Sequence, residues 1–138
     1  MKKFVLCLPM IAFLGACAGT ANQADIDQIN ATRVYFDFNS AKISDESHAK
    51  LIPVAMIMKR NTNLKVMVEG HTDARGTDEY NMALGSLRAG NAAHVLLVDG
   101  VEQSRVETKS YGKRNPAFAG STAEAYRKNR NATLVVIQ

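Results

Sequence analysis

The sequence predicts an α/β fold, a two-layer sandwich in which helices pack on one side of a small mixed four-stranded sheet. Two observations carry this prediction. Four short segments rich in β-branched and aromatic residues alternate with segments of helical periodicity, which is typical of helices layered on a sheet. The chain has 138 residues, and about 100 to 150 residues usually form one compact core, so we expect a single folded domain.

The first half of the predicted domain is a strand, a helix and a second strand. Residues 34–38 (VYFDF) are β-branched and aromatic and precede a polar turn, which predicts a strand. Residues 44–60 begin with a serine that can cap a helix. Within them, Pro53 predicts either a kink or a helix whose regular part begins near Ile52. Residues 64–69 alternate apolar and polar side chains and predict the second strand.

The second half repeats the alternation. Apolar residues at helical spacing predict a long helix over residues 78–99, which Gly100 stops. A short strand is predicted over residues 106–110. Residues 121–129 begin with a capping-box pattern, STAE, and predict a short helix. The apolar residues 133–137 predict a final strand.

Residues 1–17 predict the cellular compartment. Two lysines and an apolar run over residues 4–14 have the form of a secretory signal, and the run is too short to cross a bilayer as a helix. It ends in Leu14-Gly15-Ala16-Cys17, which resembles the lipobox of bacterial lipoproteins, in which the cysteine thiol carries a diglyceride. An ordinary signal peptide cut near Ala16, with Cys17 incidental, is disfavoured because all four residues fit the lipobox.

The segment after the lipobox predicts a tether. Residues 18–32 are rich in Ala, Asn, Gln, Asp and Thr and have no sustained apolar period. We therefore predict a signal peptide over 1–16, lipidated Cys17 with a flexible tether over 17–32, and a folded domain over 33–138. Fully stretched, the tether would reach about 50 Å.

Charge and composition disfavour several classes of function. The net charge of +4 falls to +2 without Lys2 and Lys3, and the remaining chain has no dense basic run, which argues against nucleic-acid binding. There is no Gly-x-Ser-x-Gly motif, and Cys17 is the only cysteine left after signal cleavage. We therefore expect neither an enzyme nor a cofactor.

A metal site is the alternative raised by Glu69, His71 and Asp73. These residues alternate along a predicted strand and could face the same side. One histidine with two carboxylates and no second histidine nearby is a poor ligand set for zinc. We therefore expect no metal.

The most informative segment is residues 68–81 (VEGHTDARGTDEYN), followed by Leu84 and residues 87–89 (LRA). It resembles the C-terminal domain shared by outer-membrane protein A and its relatives, and is most similar to that of the peptidoglycan-associated lipoproteins. Further matches lie upstream and downstream, at residues 35–38, 110–113, 116, 125–126 and 128–130. The resemblance covers residues 33–137.

The resemblance implies that the domain binds diaminopimelate in the peptidoglycan stem peptide, a group with an ammonium and a carboxylate on one carbon. Asp73 would accept the ammonium. Arg88 would take the carboxylate as a two-pronged pair, which the geometry of lysine does not allow. The alternative is that Asp73 caps a turn and Arg88 forms a surface ion pair worth less than about 1 kcal/mol.

The other ligand-binding residues come from helical spacing and from the resemblance. Asn81, Leu84 and Arg88 are spaced i, i+3 and i+7, and therefore lie on one stripe of the predicted helix. The family matches add four residues as pocket lining: Asp37, Phe38, Arg75 and Thr77. Arg130 matches a family arginine, but the usual second arginine is replaced by Asn131. This replacement leaves open both the role of Arg130 and a second basic contact from this turn.

Together, the lipobox and the resemblance imply an outer-membrane lipoprotein with its domain in the periplasm. It would bind peptidoglycan non-covalently, link the outer membrane to the cell wall, and work with periplasmic proteins of the Tol system. Ala18 and Gly19 after the cysteine, in place of an aspartate, are similar to lipoproteins sorted to the outer membrane. A wall-modifying enzyme using this fold for targeting, or a stator or adhesin component, are the alternatives. The enzyme is disfavoured because the binding fold takes up residues 33–137.

Overall fold

The computed structural model describes residues 20–137, so the predicted signal peptide and Cys17 lie outside the described residues. Its elements in chain order are α1 (Gln23–Ala31), β1 (Arg33–Tyr35), α2 (Asp45–Arg60), β2 (Lys65–His71), α3 (Asp78–Val98), a 3-10 turn (Gln103–Arg105), β3 (Val106–Gly112), α4 (Ala123–Asn129) and β4 (Asn131–Ile137). None of the helices in this range has the length and apolar character needed to cross a membrane.

The four strands form one mixed sheet in the order β1-β4-β2-β3. β4 runs antiparallel to both of its neighbours, whereas β2 and β3 are parallel and are joined through α3. A parallel pair needs such a crossover, because a tight turn can only join antiparallel strands. The predicted α/β class with a mixed four-stranded sheet is confirmed.

The core lies between the sheet and the long helices. In β2, Val66 and Val68 are fully buried, while the residues that alternate with them are exposed (Lys65) or half-buried, as expected for a sheet with one covered face. Leu51 of α2 and Leu96 of α3 are buried against the same cluster. The helices therefore form the second layer of the sandwich.

The predicted helix at residues 44–60 is continuous through Pro53. The side chain of Ser44 caps it by accepting a hydrogen bond from the backbone N–H of Ser47 at 3.1 Å. The alternative of a helix that begins near Ile52 is therefore wrong. Buried contacts on both sides of the proline, including Leu51 and Val54, outweigh its cost in the helix.

The first strand is shorter than the predicted 34–38. Pairing with β4 covers Arg33–Tyr35, and one further bond joins the Phe36 N–H to the Arg130 carbonyl at 2.9 Å. The chain then turns at Asn39, whose φ of 55° lies in the left-handed region. Residues 37–40 consequently leave the sheet and become part of the candidate site.

The predicted flexible tether over 17–32 is wrong for residues 23–31, which form α1. Asn22 caps this helix, and Ile29 is fully buried in the core. Asp25 also pairs with Arg60 of α2. Two isoleucines are too few to give a sustained helical period, but the pocket that receives Ile29 is built by distant residues. The folded domain therefore includes α1.

Two glycines let α3 approach the sheet at the end of β2. A Cβ added to Gly70 would lie 1.8 Å from the carbonyl oxygen of Gly85, and one added to Gly85 would lie 2.3 Å from the Ser110 Oγ. Backbone therefore packs on backbone at this crossing, closer than any side chain allows. The crossing sets the position of the first three turns of α3, which carry the candidate site.

Candidate ligand-binding site

The candidate site is a small cleft where β2 ends, between the turn after β1 and the start of α3. We call it the Asp73–Arg88 cleft. The residues that line it are Phe38, Asn39, Thr72, Asp73, Arg75, Tyr80, Asn81, Leu84 and Arg88. Its volume is about 10 Å³, which is room for about one water molecule.

Arg88 forms the floor of the cleft and is completely buried. Its guanidinium donates three hydrogen bonds to backbone carbonyls: Nε to Ser40 at 2.9 Å, Nη1 to His71 at 2.9 Å and Nη2 to Asp37 at 3.1 Å. The group also lies 5.2 Å from the centre of the Phe36 ring. One side chain of α3 thus fixes the turn after β1 against the end of β2.

The charge of Arg88 is only partly compensated. Among residues 20–137 no carboxylate lies within 4.0 Å of it, and two of the five N–H groups have no hydrogen-bond acceptor. Burial, with a smaller effect of nearby Arg130, lowers the pKa of Arg88 to about 10. The arginine stays charged at neutral pH and can accept an anionic partner.

Asp73 follows β2 directly and is buried at the opposite wall of the cleft. Its carboxylate accepts bonds from Nε and Nη2 of Arg75, at 3.2 and 2.7 Å, and from the Arg75 backbone N–H at 3.0 Å. The Nη1 of Arg130 lies 3.5 Å away. Burial alone would raise the pKa of Asp73, but the bonds from Arg75 outweigh it and the pKa lies below its usual value. Asp73 is therefore a carboxylate.

Arg75 occupies the mouth of the cleft. Its guanidinium lies between two aromatic rings, 4.1 Å from the centre of Phe38 and 4.5 Å from that of Tyr126. Cations bind the faces of aromatic rings at such distances. The side chain is nevertheless 42% exposed, so it can leave Asp73 for solvent without disturbing the core.

Asn81 and Thr77 hold the loop between Asp73 and α3. The amide of Asn81 donates to the carbonyls of Arg75 at 2.8 Å and Thr77 at 3.0 Å. The Thr77 hydroxyl caps α3 by accepting from the N–H of Tyr80 at 3.2 Å. The hydroxyl is thus engaged in the cap, and Thr77 supports the cleft without lining it.

The structure brings together six of the eight residues that the sequence predicts for ligand binding. The six that line the cleft are Phe38, Asp73, Arg75, Asn81, Leu84 and Arg88. Thr77 and Asp37 lie beside it; Asp37 contributes its carbonyl to Arg88, while its side chain lines a neighbouring groove. The prediction of Asp73 and Arg88 at one cavity therefore agrees with their placement.

The alternative interpretation, a turn cap at Asp73 and a surface ion pair at Arg88, agrees with the structure only in part. Arg88 is not a surface ion pair, because it is fully buried and bonded to carbonyls. Asp73 does cap its own turn, through the Arg75 N–H. Within the described range no three His, Cys, Asp or Glu side chains cluster closely enough to hold a metal ion.

Sequence reasoning missed two contributors to the site and left the role of a third open. Tyr126 stacks on Arg75, and Ser40 offers its carbonyl to Arg88. Arg130, whose role the sequence left undefined, donates from Nε to the Phe36 carbonyl at 2.9 Å while facing Asp73. A backbone carbonyl leaves no signal in the sequence, and the stacking requires α4 to lie beside the turn after β1.

Comparison with known proteins places these residues in a family. The OmpA family model matches residues 35–130. The peptidoglycan-associated lipoprotein of Pasteurella multocida (strain Pm70) is 36% identical over 145 aligned positions, which cover 97% of this chain and 97% of the relative. That of Haemophilus influenzae is 38% identical over 152 positions, covering 97% and 99%.

Solved structures share the fold. The peptidoglycan-associated lipoprotein from Burkholderia pseudomallei superposes with a TM-score of 0.74 at 37% identity, over 76% of this chain and 89% of that chain. The C-terminal domain of Helicobacter pylori MotB gives a TM-score of 0.72 over 78% and 84%, at 22% identity. The second similarity shows the fold alone.

Proposed function

The chain belongs to the OmpA family, among its peptidoglycan-associated lipoproteins, and we propose that it is an outer-membrane lipoprotein that binds the diaminopimelate-containing stem peptide of peptidoglycan without a covalent bond. It thereby links the outer membrane to the cell wall. Support comes from relatives of that name, which align over nearly the whole chain, and from the chemistry of the Asp73–Arg88 cleft.

The observation that carries the proposal is the incomplete coordination of buried Arg88 beside a buried carboxylate. Two N–H groups of Arg88 have no acceptor in the described part of the chain, and Asp73 lies across the same cleft. A carboxylate can complete the guanidinium, and an ammonium can neutralise Asp73. A group with both charges on one carbon, as in diaminopimelate, satisfies both sites at once.

Binding requires Arg75 to move. A cleft of about 10 Å³ cannot admit an amino-acid head group, and the guanidinium of Arg75 already fills the place of the ammonium at Asp73. When Arg75 turns into solvent, the ligand's ammonium replaces its guanidinium as the donor to the Asp73 carboxylate. Phe38, which is 60% exposed, can then cover the apolar part of the ligand.

The proposed lipid anchor at Cys17 keeps the domain near the membrane. Because α1 begins at Gln23, only residues 17–22 precede the folded domain, and they reach about 20 Å at full extension. This is less than half of the span expected for a tether over 17–32. Partnership with periplasmic Tol proteins rests on the family resemblance, and co-purification from envelope extracts tests it.

Binding in this proposal involves no bond making or breaking, so we propose no enzymatic activity. The relatives reported above are named as lipoproteins. Incubation of the protein with purified sacculi tests this part directly. Release of soluble muropeptides above background would contradict it.

The binding proposal is tested by sedimentation with purified sacculi. Asp73→Asn keeps the shape of the side chain but removes the charge that holds the ammonium, so binding should fall at least about tenfold. Asp27→Asn removes an exposed carboxylate from α1 and serves as the control, with unchanged binding expected. Sacculi with lysine in place of diaminopimelate lack the carboxylate for Arg88 and should retain far less wild-type protein. Equal retention on both walls would overturn the ligand assignment.

A further inference from the structure

A second concave surface lies next to the Asp73–Arg88 cleft. It runs between the turn after β1, the start of α2 and the end of α4, and has a volume of about 500 Å³, the size of a small-molecule site. We call it the basic groove, after the five basic side chains that line it: Lys42, Lys50, Arg127, Lys128 and Arg130. The acidic side chains of its lining are Asp37 and Glu46.

The positive charge of the groove is only partly neutralised. Lys50 pairs with Glu46 at 3.1 Å, and Lys128 pairs with Glu124 at 3.0 Å. Lys42 and Arg127 are exposed and have no carboxylate within 4.0 Å among residues 20–137. Like charges along a concave wall reinforce each other's potential. The groove is therefore suited to an anionic group.

Arg130 joins the groove to the cleft. Its side chain lines the groove, is only 15% exposed, and is held in place by the bond to the Phe36 carbonyl. Its Nη1 lies 3.5 Å from the Asp73 carboxylate. In the stem peptide the free ammonium of diaminopimelate is at the end of its side chain, and the glutamyl residue is attached at the other end. A ligand whose ammonium reaches Asp73 can therefore extend along the groove and place its glutamyl carboxylate on the order of 10 Å away.

We propose that the basic groove binds the free carboxylate of the glutamyl residue that precedes diaminopimelate in the same stem peptide. Lys42 and Arg127 supply the charge, and Arg130 marks the boundary between the two subsites. This inference rests on the proposed function, because it places the second anion relative to a diaminopimelate in the cleft. It adds a selectivity: the groove distinguishes walls with a free glutamyl carboxylate from walls in which that group is an amide.

The test compares two synthetic tripeptides, Ala-γGlu-diaminopimelate with the glutamyl α-carboxylate free or as the carboxamide, together with free diaminopimelate. The double variant Lys42→Gln/Arg127→Gln removes the two unpaired cations. Lys59→Gln/Lys65→Gln removes two exposed cations outside the groove lining and is the matched control. Affinities are measured by calorimetry at low salt, because partly exposed charges are screened at high salt.

Wild type and control should bind the acidic tripeptide about three- to tenfold more tightly than the amide, as expected for two partly exposed charge contacts. In Lys42→Gln/Arg127→Gln this preference should vanish, while the affinity for free diaminopimelate stays the same. A preference that persists in the groove variant overturns the proposal. Binding of the same proteins to phosphatidylglycerol vesicles is measured in parallel. If the groove variant keeps the preference and loses vesicle binding, the proposal is overturned and the groove is assigned to a lipid surface instead. If wild type binds neither diaminopimelate nor the tripeptides, the proposed function itself fails, and the groove proposal with it.

Discussion

Two arginine side chains are buried at opposite ends of β2, Arg88 near its last residue and Arg105 near its first. Both are on other elements, and both donate to backbone carbonyls near their end of the strand. Arg105 bonds to Leu64 at 2.9 Å, and its Nη2 bonds to both Met58 and Asn61. Each arginine therefore joins separate segments of the chain at one end of β2.

The two arginines differ in their acceptors. The Nη1 of Arg105 also donates to the carboxylate of Glu102 at 2.7 Å, so four of its five N–H groups are bonded and its charge has a partner. Arg88 has three carbonyl acceptors and no carboxylate within 4.0 Å in the range 20–137. Arg88 also lines the Asp73–Arg88 cleft.

This difference separates a structural arginine from one prepared for a ligand. A buried guanidinium loses hydration, and an ion pair with good geometry offsets part of that cost. At Arg105 the ion pair with Glu102 provides this compensation. At Arg88 it is missing, which is why burial lowers the pKa to about 10. In the proposed function the ligand's carboxylate supplies the missing charge.

The sharpest test of this comparison removes each arginine in turn. Arg88→Ala and Arg105→Ala both leave buried carbonyls without donors, so each should lower the free energy of unfolding by about 3 kcal/mol or more. Only Arg88→Ala should lose binding to diaminopimelate-containing sacculi, by about 100-fold or more. Urea denaturation and sedimentation measure the two effects.

Loss of folding and loss of binding are kept apart by a conservative pair of variants. Arg88→Lys keeps the positive charge but not the two-pronged geometry, and should weaken binding about tenfold. Arg105→Lys, at the other end of β2, should bind as wild type does. Equal loss of binding in both lysine variants would mean that the two arginines have the same, purely structural role.

The second prediction concerns the packing that positions the Arg88 end. In Gly70→Ala the new methyl group would lie 1.8 Å from the Gly85 carbonyl oxygen, and two backbones cannot yield as a flexible side chain can. We expect a loss of about 3 kcal/mol in the free energy of unfolding. Gly90 lies on α3, the helix that contains Gly85, and a Cβ added there has nothing within 4 Å. Gly90→Ala should therefore raise the free energy of unfolding by about 0.5 to 1 kcal/mol. Thermal unfolding of the two variants measures both changes.

The sequence was sufficient to predict the elements with strong local signals. Alternating side chains predict β2, and helical spacing with a glycine stop predicts α3, within two residues at each end. The failure at α1 has a physical cause, since its stability comes from Ile29 in a distant core and from the pair of Asp25 with Arg60. Contacts of this kind, far apart in the chain, are invisible to any local window.

The same distinction applies to the candidate site. The cavity shared by Asp73 and Arg88 could be predicted, because strand, loop and helix are consecutive and helical spacing aligns Asn81 with Arg88. The acceptors of Arg88 could not, because they are backbone atoms, and the carbonyls of Asp37 and Ser40 lie far from it in the chain. Because Arg88 holds these carbonyls, an alanine there must affect stability as well as binding.

The smallest predicted effect concerns Arg75, which lies at the mouth of the cleft and is bonded to Asp73. Arg75 competes with the ammonium for Asp73, so Arg75→Leu should tighten binding of free diaminopimelate about three- to tenfold. The leucine can still pack between Phe38 and Tyr126, which keeps the mouth of the cleft apolar. Calorimetry with wild type as the reference measures the change. Weaker binding by this variant would show instead that Arg75 holds the ligand.

The pH dependence of binding provides an independent check on that competition. The bonds from Arg75 keep the pKa of Asp73 below its usual value of 3.8 against the opposing effect of burial. Without Arg75 the effect of burial is less opposed and the pKa of Asp73 rises, although Arg130 remains at 3.5 Å. Binding of the ammonium needs the carboxylate, so it is lost as the pH falls through that pKa. In Arg75→Leu the loss should therefore begin at a higher pH than in wild type, whereas Arg105→Lys, at the far end of β2, should leave the profile unchanged.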